Sequence, residues 1–381
     1  MVAPRDPVSA SSYAFRRDHT LLVLQGGGAL GAYQAGVYEA LAENGFAPDW
    51  VTGVSIGAIN AAIIAGNPVE LRAVRLREFW ERVSSGLPLV PPPILEPLRR
   101  TLNLLSASAA MSFGVPHFFY PRIPPPIFAP AGTMSALSFY DTDPLRETLQ
   151  ELVQFDIING KDMRFAVGSV EVTSGNSKYF DNYKPETGEI VIEHVMASGA
   201  LPPGFPPVQV GKEFYWDGGL VSNSPLWYVL DEEPDLEALI MQVDLFSASG
   251  EMPHNLDEVL ERAKDIQYSS KTRSNTTRAK QMDDVTAAVR RLLAKLPASL
   301  RMDADAKFLA QSTQAHNVSI VQLINRRFDH TTQAKDYEFS RATVRALWNA
   351  GREAVRRTLD SPEWPLACAT DRGVRTYDLA R

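Results

Sequence analysis

The sequence predicts an α/β protein with a mainly parallel central sheet, followed by a mostly helical C-terminal extension. The first observation is the stretch 21–66. Leu21 to Leu24 is an apolar run of a buried strand's length that ends on Gly26, Gly27 and Gly28. Leu30, Tyr33, Val37, Ala40 and Leu41 then recur at spacings of three and four until Gly45, where a helix stops. Trp50 to Val54 returns as a second strand, and Gly53-Val54-Ser55-Ile56-Gly57 turns it into a helix over 56–66. A βαβα unit requires parallel strands, with its helix N-termini on one edge of the sheet. Second, 381 residues suit one large α/β domain with an appended region better than three small domains. Third, the pattern from Asn255 to Gln314 is helical and locally basic. Ten Lys or Arg stand against three Asp or Glu between Arg262 and Arg301, about +7 in a chain whose net charge is -7.

Between these regions the elements follow in order. Val69 to Ser85 reads as an amphipathic helix. From Pro88 to Pro130 lie eleven of the chain's 27 prolines, with Phe113, Phe118, Phe119, Tyr120, Ile127 and Phe128 between them. Proline breaks regular structure, so an irregular flap is expected here. It either roofs the core or exposes an apolar surface as a lid or membrane-contact patch. Asp141 or Thr142 caps a helix running to Val153. Arg164 to Val172 and Lys178 to Asn182 read as a strand pair, Glu213 to Trp216 as a strand ending in a glycine turn, and Ala238 to Phe246 as an apolar strand. Val318 to Asn325 is a further strand and Glu338 to Leu359 a final helix. No internal repeat is visible.

Composition excludes several classes. A net charge of -7 argues against a general nucleic-acid binder. The single cysteine, Cys368, permits no internal disulfide and fits a reducing compartment. The first twenty residues contain no apolar h-region, and the apolar stretch Ile56 to Ala65 is too short to span a bilayer. A soluble, cytoplasmic protein is the expectation.

Two turns carry chemistry. The glycines of Gly26 to Gly31 let the main chain approach a ligand and leave amides free at a helix N-terminus, which suits an anion. The Gly-x-Ser-x-Gly turn lifts the Ser55 hydroxyl clear of the backbone at a strand-to-helix elbow. At this chain's composition the serine turn should arise by chance about 0.1 times and the four-glycine pattern about 0.006 times, so the pair is informative at two strand-to-helix junctions. A dinucleotide-binding reading also fits Gly26-Gly27-Gly28-Ala29-Leu30-Gly31. It requires an acidic residue at the end of the second strand, whereas Asp49 precedes that strand.

A serine needs a base. None of the six histidines, His19, His117, His194, His254, His316 and His330, stands in a distinguishing setting, although a Ser-His-Asp order would need one downstream such as His316 or His330. Asp217 is the stronger candidate. Trp216-Asp217-Gly218-Gly219 sets a carboxylate at a strand end with room beside it, and an apolar neighbour would raise its pKa into a useful range.

Taken in order, Gly26-Gly27-Gly28-Ala29-Leu30-Gly31, Gly53-Val54-Ser55-Ile56-Gly57 and Asp217-Gly218-Gly219 resemble the three motifs of the patatin-like phospholipase family. Ala197-Ser198-Gly199-Ala200-Leu201-Pro202, Phe205-Pro206-Pro207-Val208 and Asn223-Ser224-Pro225 are similar to further stretches of it. The resemblance covers residues 20 to 246. It implies a three-layer α/β/α sandwich that hydrolyses acyl esters of lipids without cofactor or metal. Ser55 is then the nucleophile, Asp217 the proton acceptor, and the amides of Gly26, Gly27, Gly28 and Gly31 the oxyanion hole. Gly53, Gly57, Gly218 and Gly219 shape the motifs. Many members carry Arg or Lys where this chain has Leu30, so a fixed positive charge for a phosphate headgroup is missing there.

The organisation expected from this is a tail over 1–19, a patatin-like catalytic domain over 20–250 with the Pro- and aromatic-rich flap at 88–140, and a mainly helical region over 251–381 that resembles extensions of some bacterial patatin-like proteins. Phe118, Phe119, Tyr120 and Phe128 would give the flap a membrane or lipid-droplet contact. Val285, Val289, Leu292, Leu293 and Leu296 beside Arg290, Arg291 and Lys295 would make either a packed helix with a solvated basic face or an interfacial one. A homodimer contact is another use for this region. A lipid-binding or scaffolding protein that kept the fold without turnover is the alternative from another class.

Overall fold

Strand β5, Arg164–Glu171, is the hinge of the sheet. In the computed structural model, which describes residues 19–86, 98–232, 237–269, 285–312, 317–326, 332–369 and 373–380, the other strands are β1 His19–Leu24, β2 Trp50–Val54, β3 Tyr120–Pro121, β4 Tyr140–Asp141, β6 Ser177–Asp181, β7 Val208–Val210, β8 Glu213–Asp217, β9 Glu237–Asp244, β10 Asn317–Ile324 and β11 Gly373–Tyr377. The main sheet runs β11-β10-β9-β1-β2-β5-β8-β7, with β6 also on β5, and β3 and β4 form a separate antiparallel pair. The pairs from β11 to β5 are all parallel, as the βαβα reading requires, while β6, β7 and β8 pair antiparallel.

Both faces of the sheet are covered, which makes the three-layer α/β/α sandwich. Alternation along β1 sends Leu22 and Leu24 into the larger core, with the helices Ala32–Glu43, Ile56–Ala65 and Arg341–Asp360. Leu21 and Val23 point into a smaller core closed by Leu226, Val229 and Leu230 of the helix Leu226–Glu232.

The boundary expected at residue 250 falls inside this one sheet. β10 adds to β9, and β11, which sequence reading missed, adds to β10. The last long helix packs backbone to backbone on the first. A Cβ on Gly36 would lie 2.0 Å from the Trp348 carbonyl oxygen, and one on Gly351 would lie 2.2 Å from that of Tyr33. Buried Glu39 joins the two helices through Trp348 Nε1 at 2.8 Å and through Arg352.

Two expectations change. The flap is not irregular throughout, because Arg99–Phe113 is a helix in a stretch that contains no proline. The expected irregular run from Pro88 lies partly outside the described residues. Phe118 and Phe119 are buried among Phe79, Phe205 and Phe339, in ring contacts between 5.2 and 6.5 Å, so they are wall rather than contact surface. The basic helix occupies 285–295, with Val289 and Leu293 half-buried and Val285, Leu292 and the basic side chains exposed.

Gly351→Ala should force the two helices apart, with an expected loss of about 1–3 kcal/mol of stability and a lower Tm. Chemical denaturation checks this, and an unchanged midpoint would mean that the contact is not tight.

Candidate active site

The register of β5 brings the two motif strands together. On one edge, Ala166 to Val170 pair with β6. The other edge is shared: β2 takes Arg164 to Gly168, and β8 takes Ser169 to Glu171. Val54 is opposite Gly168 and Asp217 is opposite Ser169, so Asp217 arrives where β2 ends and Ser55 turns away. Gly218 makes this possible, since a Cβ there would lie 2.5 Å from the Gly168 carbonyl oxygen.

Ser55 has φ 57° and ψ -127°, a conformation that a non-glycine residue adopts only where its surroundings hold it. Those surroundings are close. A Cβ on Gly53 would lie 2.2 Å from the Gly57 carbonyl oxygen, and one on Gly57 2.4 Å from that of Leu24. The Ser55 amide donates to the Ser198 carbonyl at 3.1 Å and to Ser198 Oγ at 3.2 Å. Ser198 in turn donates its hydroxyl to the Gly168 carbonyl at 2.6 Å, and the Asp217 amide donates to Ala200 at 3.0 Å. Residues 198–200 therefore hold the backbones of both motifs, through main-chain carbonyls and the Ser198 hydroxyl.

The Asp217 side chain is wholly buried. Its Oδ1 accepts the Gly219 amide at 2.7 Å, while Oδ2 has no partner in hydrogen-bonding geometry. Burial pushes its pKa up to about 7, against the Ser55 hydroxyl and the Gly219 amide, which both favour the charged form. The carboxyl therefore stands beside Ser55 with one oxygen unused.

The glycine turn divides by role. The Gly26 amide donates to the Asn223 carbonyl at 3.1 Å and is taken. The amides of Gly27 and Gly28 have no partner among the described residues. Both glycines line the same cavity as Ser55 and Asp217, whereas Gly31 lies outside it and packs against Ile56 and Trp80. Asn223 locks the two glycine motifs together: its Nδ2 donates to the Gly26 carbonyl at 3.0 Å and to the Tyr268 carbonyl at 2.9 Å, and its Oδ1 lies against Gly26 and Gly219.

The cavity over Ser55 holds about 130 Å³. One wall is aromatic, with Phe118, Phe119 and Phe205. The other comes from the C-terminal region, with Lys264, Tyr268, Asp336, Tyr337 and Phe339. Sequence reading missed this second wall, because it approaches from more than 200 residues away and carries no motif. Gly28, at φ +55°, admits it: a Cβ there would lie 2.3 Å from the Asp336 carbonyl oxygen. Lys264 Nζ bonds Asp336 at 2.7 Å and the Gln333 carbonyl at 2.8 Å, and Lys335 bonds Asp265 at 2.5 Å and Glu261 at 3.2 Å. Burial holds the Asp336 carboxyl above its ordinary range, against the pull of Lys264. A larger polar cavity of about 650 Å³, beside Arg100, Glu258 and Arg326, is reached by neither Ser55 nor Asp217.

No described histidine lines the cavity. His19 pairs with Asp49 at 3.2 Å. His194 accepts the Val191 amide at 3.0 Å and stacks on Phe180, and burial pushes it down to about 4. His316 and His330 lie outside the described residues. The backbone carbonyl of Asp49 accepts the Arg164 amide at 2.8 Å at the start of β5, the opposite end of the sheet from the glycine turn, so the dinucleotide geometry is absent.

Fold and site together define an α/β protein that presents a half-buried serine on a strand-to-helix elbow, beside a buried carboxyl and amides without a partner among the described residues. A family described as patatin-like phospholipase matches residues 22–230, and the chain belongs to that family. A second family, described as patatin phospholipase, matches residues 266–370. Among solved structures, VipD from Legionella pneumophila is similar at 15% identity, over 87% of this chain and 67% of that one, with a TM-score of 0.34. No curated protein matches the chain. Family membership supports lipid acyl hydrolase activity in general and a lipid substrate.

Because the folded pKa of Asp217 exceeds its ordinary 3.8, the folded state binds this proton more tightly than the unfolded chain does. The stability this gives is complete below 3.8 and is lost as pH rises through about 7. Asp217→Asn should therefore gain Tm relative to the parent above that range and show the smallest difference at acid pH. Parallel Tm profiles across that window would show an unperturbed carboxyl.

Proposed function

We propose that the protein is a serine acyl hydrolase, a lipase or phospholipase A-type esterase that cleaves acyl esters of lipids through Ser55 and Asp217. The observation that carries this reading is the Ser55 elbow on the floor of an apolar cavity, directly beside the buried Asp217 carboxyl. Asp217 accepts the Ser55 proton as Oγ attacks the ester carbonyl carbon. The amides of Gly27 and Gly28 stabilise the oxyanion, each donor contributing on the order of 3 kcal/mol. The tetrahedral intermediate collapses, and the departing alcohol takes the proton from Asp217. Water, deprotonated by the same carboxylate, then attacks the acyl-serine, and the carboxylic acid leaves.

The lining supports ester recognition more than recognition of an anionic headgroup. Leu30 is buried, and Lys264, the cation among the described lining residues, is already held by Asp336. A cavity of about 130 Å³ is too small for the whole of a long acyl chain, part of which would lie outside its open mouth. Access from a membrane or droplet surface, by a cytoplasmic enzyme in peripheral contact with it, fits the aromatic wall. No helix among the described residues is long and apolar enough to cross a membrane.

A fluorophosphonate probe should label Ser55, and Ser55→Ala should abolish both labelling and turnover of a soluble short-chain ester. Asp217→Asn should lower turnover about 10²–10⁴-fold while the protein remains folded. Turnover should rise with pH through about 7 as Asp217 ionises. His194→Ala should retain most of the activity of equally folded protein. Absence of labelling together with absence of turnover would favour the lipid-binding scaffold. Loss of turnover in His316→Ala or His330→Ala, equal to that of Ser55→Ala at unchanged Tm, would return the reaction to a triad.

A further inference from the structure

Between β3 and β4 the chain leaves the body of the protein as an arm, residues 122–139, and returns eighteen residues later. Its surface is unlike that of a soluble loop. Ile123 is 91% exposed, Ile127 84% and Phe128 75%, and Leu137 and Phe139 are also exposed. From 123 to 139 there is no charged residue. Arg122, at the base, is neutralised by Asp141 at 2.8 Å and bonds Ser138 Oγ at 3.0 Å.

The backbone of the arm is also prepared for a medium poorer in hydrogen bonds than water. Pro124, Pro125, Pro126 and Pro130 have no N-H. The amides of Phe128, Ala129, Thr133, Ala136 and Leu137 donate to carbonyls within the arm, and Thr133 Oγ1 bonds the Pro130 carbonyl at 2.7 Å. Isolated exposed apolar residues are ordinary on a protein surface. A charge-free run with exposed Ile and Phe and an internally bonded backbone suits burial in lipid.

The base of the arm is continuous with the cavity over Ser55. The amides of Phe139 and Tyr140 donate to the carbonyls of Pro203 at 3.0 Å and Gly204 at 2.9 Å. The Tyr140 ring lies 4.8 Å from Phe119 and 6.2 Å from Phe205, both of which line the cavity. A surface that receives the arm therefore stands beside the aromatic wall.

We infer that residues 123–139 are the element that inserts into the lipid surface, and that the surface it fits is uncharged or zwitterionic. The charge pattern selects the lipid. The arm offers no cation to anionic headgroups, and the chain as a whole carries -7, so anionic lipid adds repulsion rather than attraction. Insertion of this kind is insensitive to salt. The inference rests on the proposed action on lipid esters, and the two fail separately.

The test is flotation of full-length Ser55→Ala protein with vesicles of phosphatidylcholine alone and of phosphatidylcholine mixed equally with phosphatidylglycerol, at low and high salt. Binding to phosphatidylcholine, no tighter binding to the mixed vesicles, little change with salt, and a loss of at least about tenfold in Ile127→Ser/Phe128→Ser are expected. The same double substitution in the active parent should leave Tm and turnover of a soluble short-chain ester unchanged. Binding that requires phosphatidylglycerol or collapses with salt would overturn the inference in favour of the basic helix at 285–295. Equal binding of parent and double variant, or no binding at all, would also overturn it. So would a dimer in solution that the double substitution dissociates. Failure of soluble-ester turnover in the parent would instead remove the hydrolase reading and leave the flotation result standing.

Discussion

One edge of β5 is shared by two strands, and the candidate site depends on that division. β2 uses the edge as far as Gly168, and β8 takes it over at Ser169 from the opposite direction. The end of a parallel strand and the end of an antiparallel one therefore meet, each carrying a polar side chain into the same space. Were the register of β8 shifted by one residue, Asp217 would point to the other face of the sheet. The Gly168 carbonyl lies at the junction: Ser198 bonds to it, and the missing side chain of Gly218 lets the chain pass over it. Contacts of residues 198–200 then fix the remaining freedom, so the geometry of Ser55 and Asp217 is set by main chain together with the Ser198 hydroxyl.

The same placement sets the electrostatics. A carboxyl at a strand end inside a sheet is out of reach of solvent, and among the described residues no cation lies beside it to favour its charge, so its proton is held up to about 7. Burial of the acid and the raised pKa of its carboxyl are one property. Asp336, across the cavity, is buried as well but has Lys264 at 2.7 Å, which ties it into the fold as a partner in an ion pair. Two buried carboxyls in one cavity thus differ in what faces them.

What the sequence made legible follows from the range of the interactions involved. β1, β2 and their helices are recorded locally, as apolar periodicity broken by glycine, and they appear where expected. The helix Arg99–Phe113 was obscured because prolines on both sides coloured the whole segment. β11 was missed because a five-residue edge strand, Gly-Val-Arg-Thr-Tyr, has little apolar pattern. At the site, Ser55, Asp217 and the glycines are turn chemistry and could be read. The division of the glycines into bonded Gly26, unpartnered Gly27 and Gly28, and packed Gly31 could not be read, since it depends on Asn223, Ile56 and Trp80 brought from elsewhere. The second wall of the cavity depends on loop-to-helix ion pairs that have no local signature at all.

The C-terminal region is therefore structural in two senses that composition does not separate. Its strands continue the sheet, and its last helix touches the first through Gly36 and Gly351, so the region belongs to the same core as the serine motif. Its segment around Asp336 also closes the cavity, but by a different kind of force. The aromatic wall is held by ring contacts among Phe79, Phe118, Phe119, Phe205 and Phe339, an apolar cluster whose loss exposes area to water. The opposite wall is held by Lys264 and Lys335 against Asp336, Asp265 and Glu261, by the Tyr268 carbonyl, which accepts from Gln25 and Asn223, and by Phe339, which joins the ring cluster. Moving the first wall disrupts packing shared with the core, and moving the second breaks largely buried ion pairs together with the Phe339 ring contacts. The cavity is thus bounded by two walls that meet at Phe339, one held by apolar packing and the other by ion pairs as well.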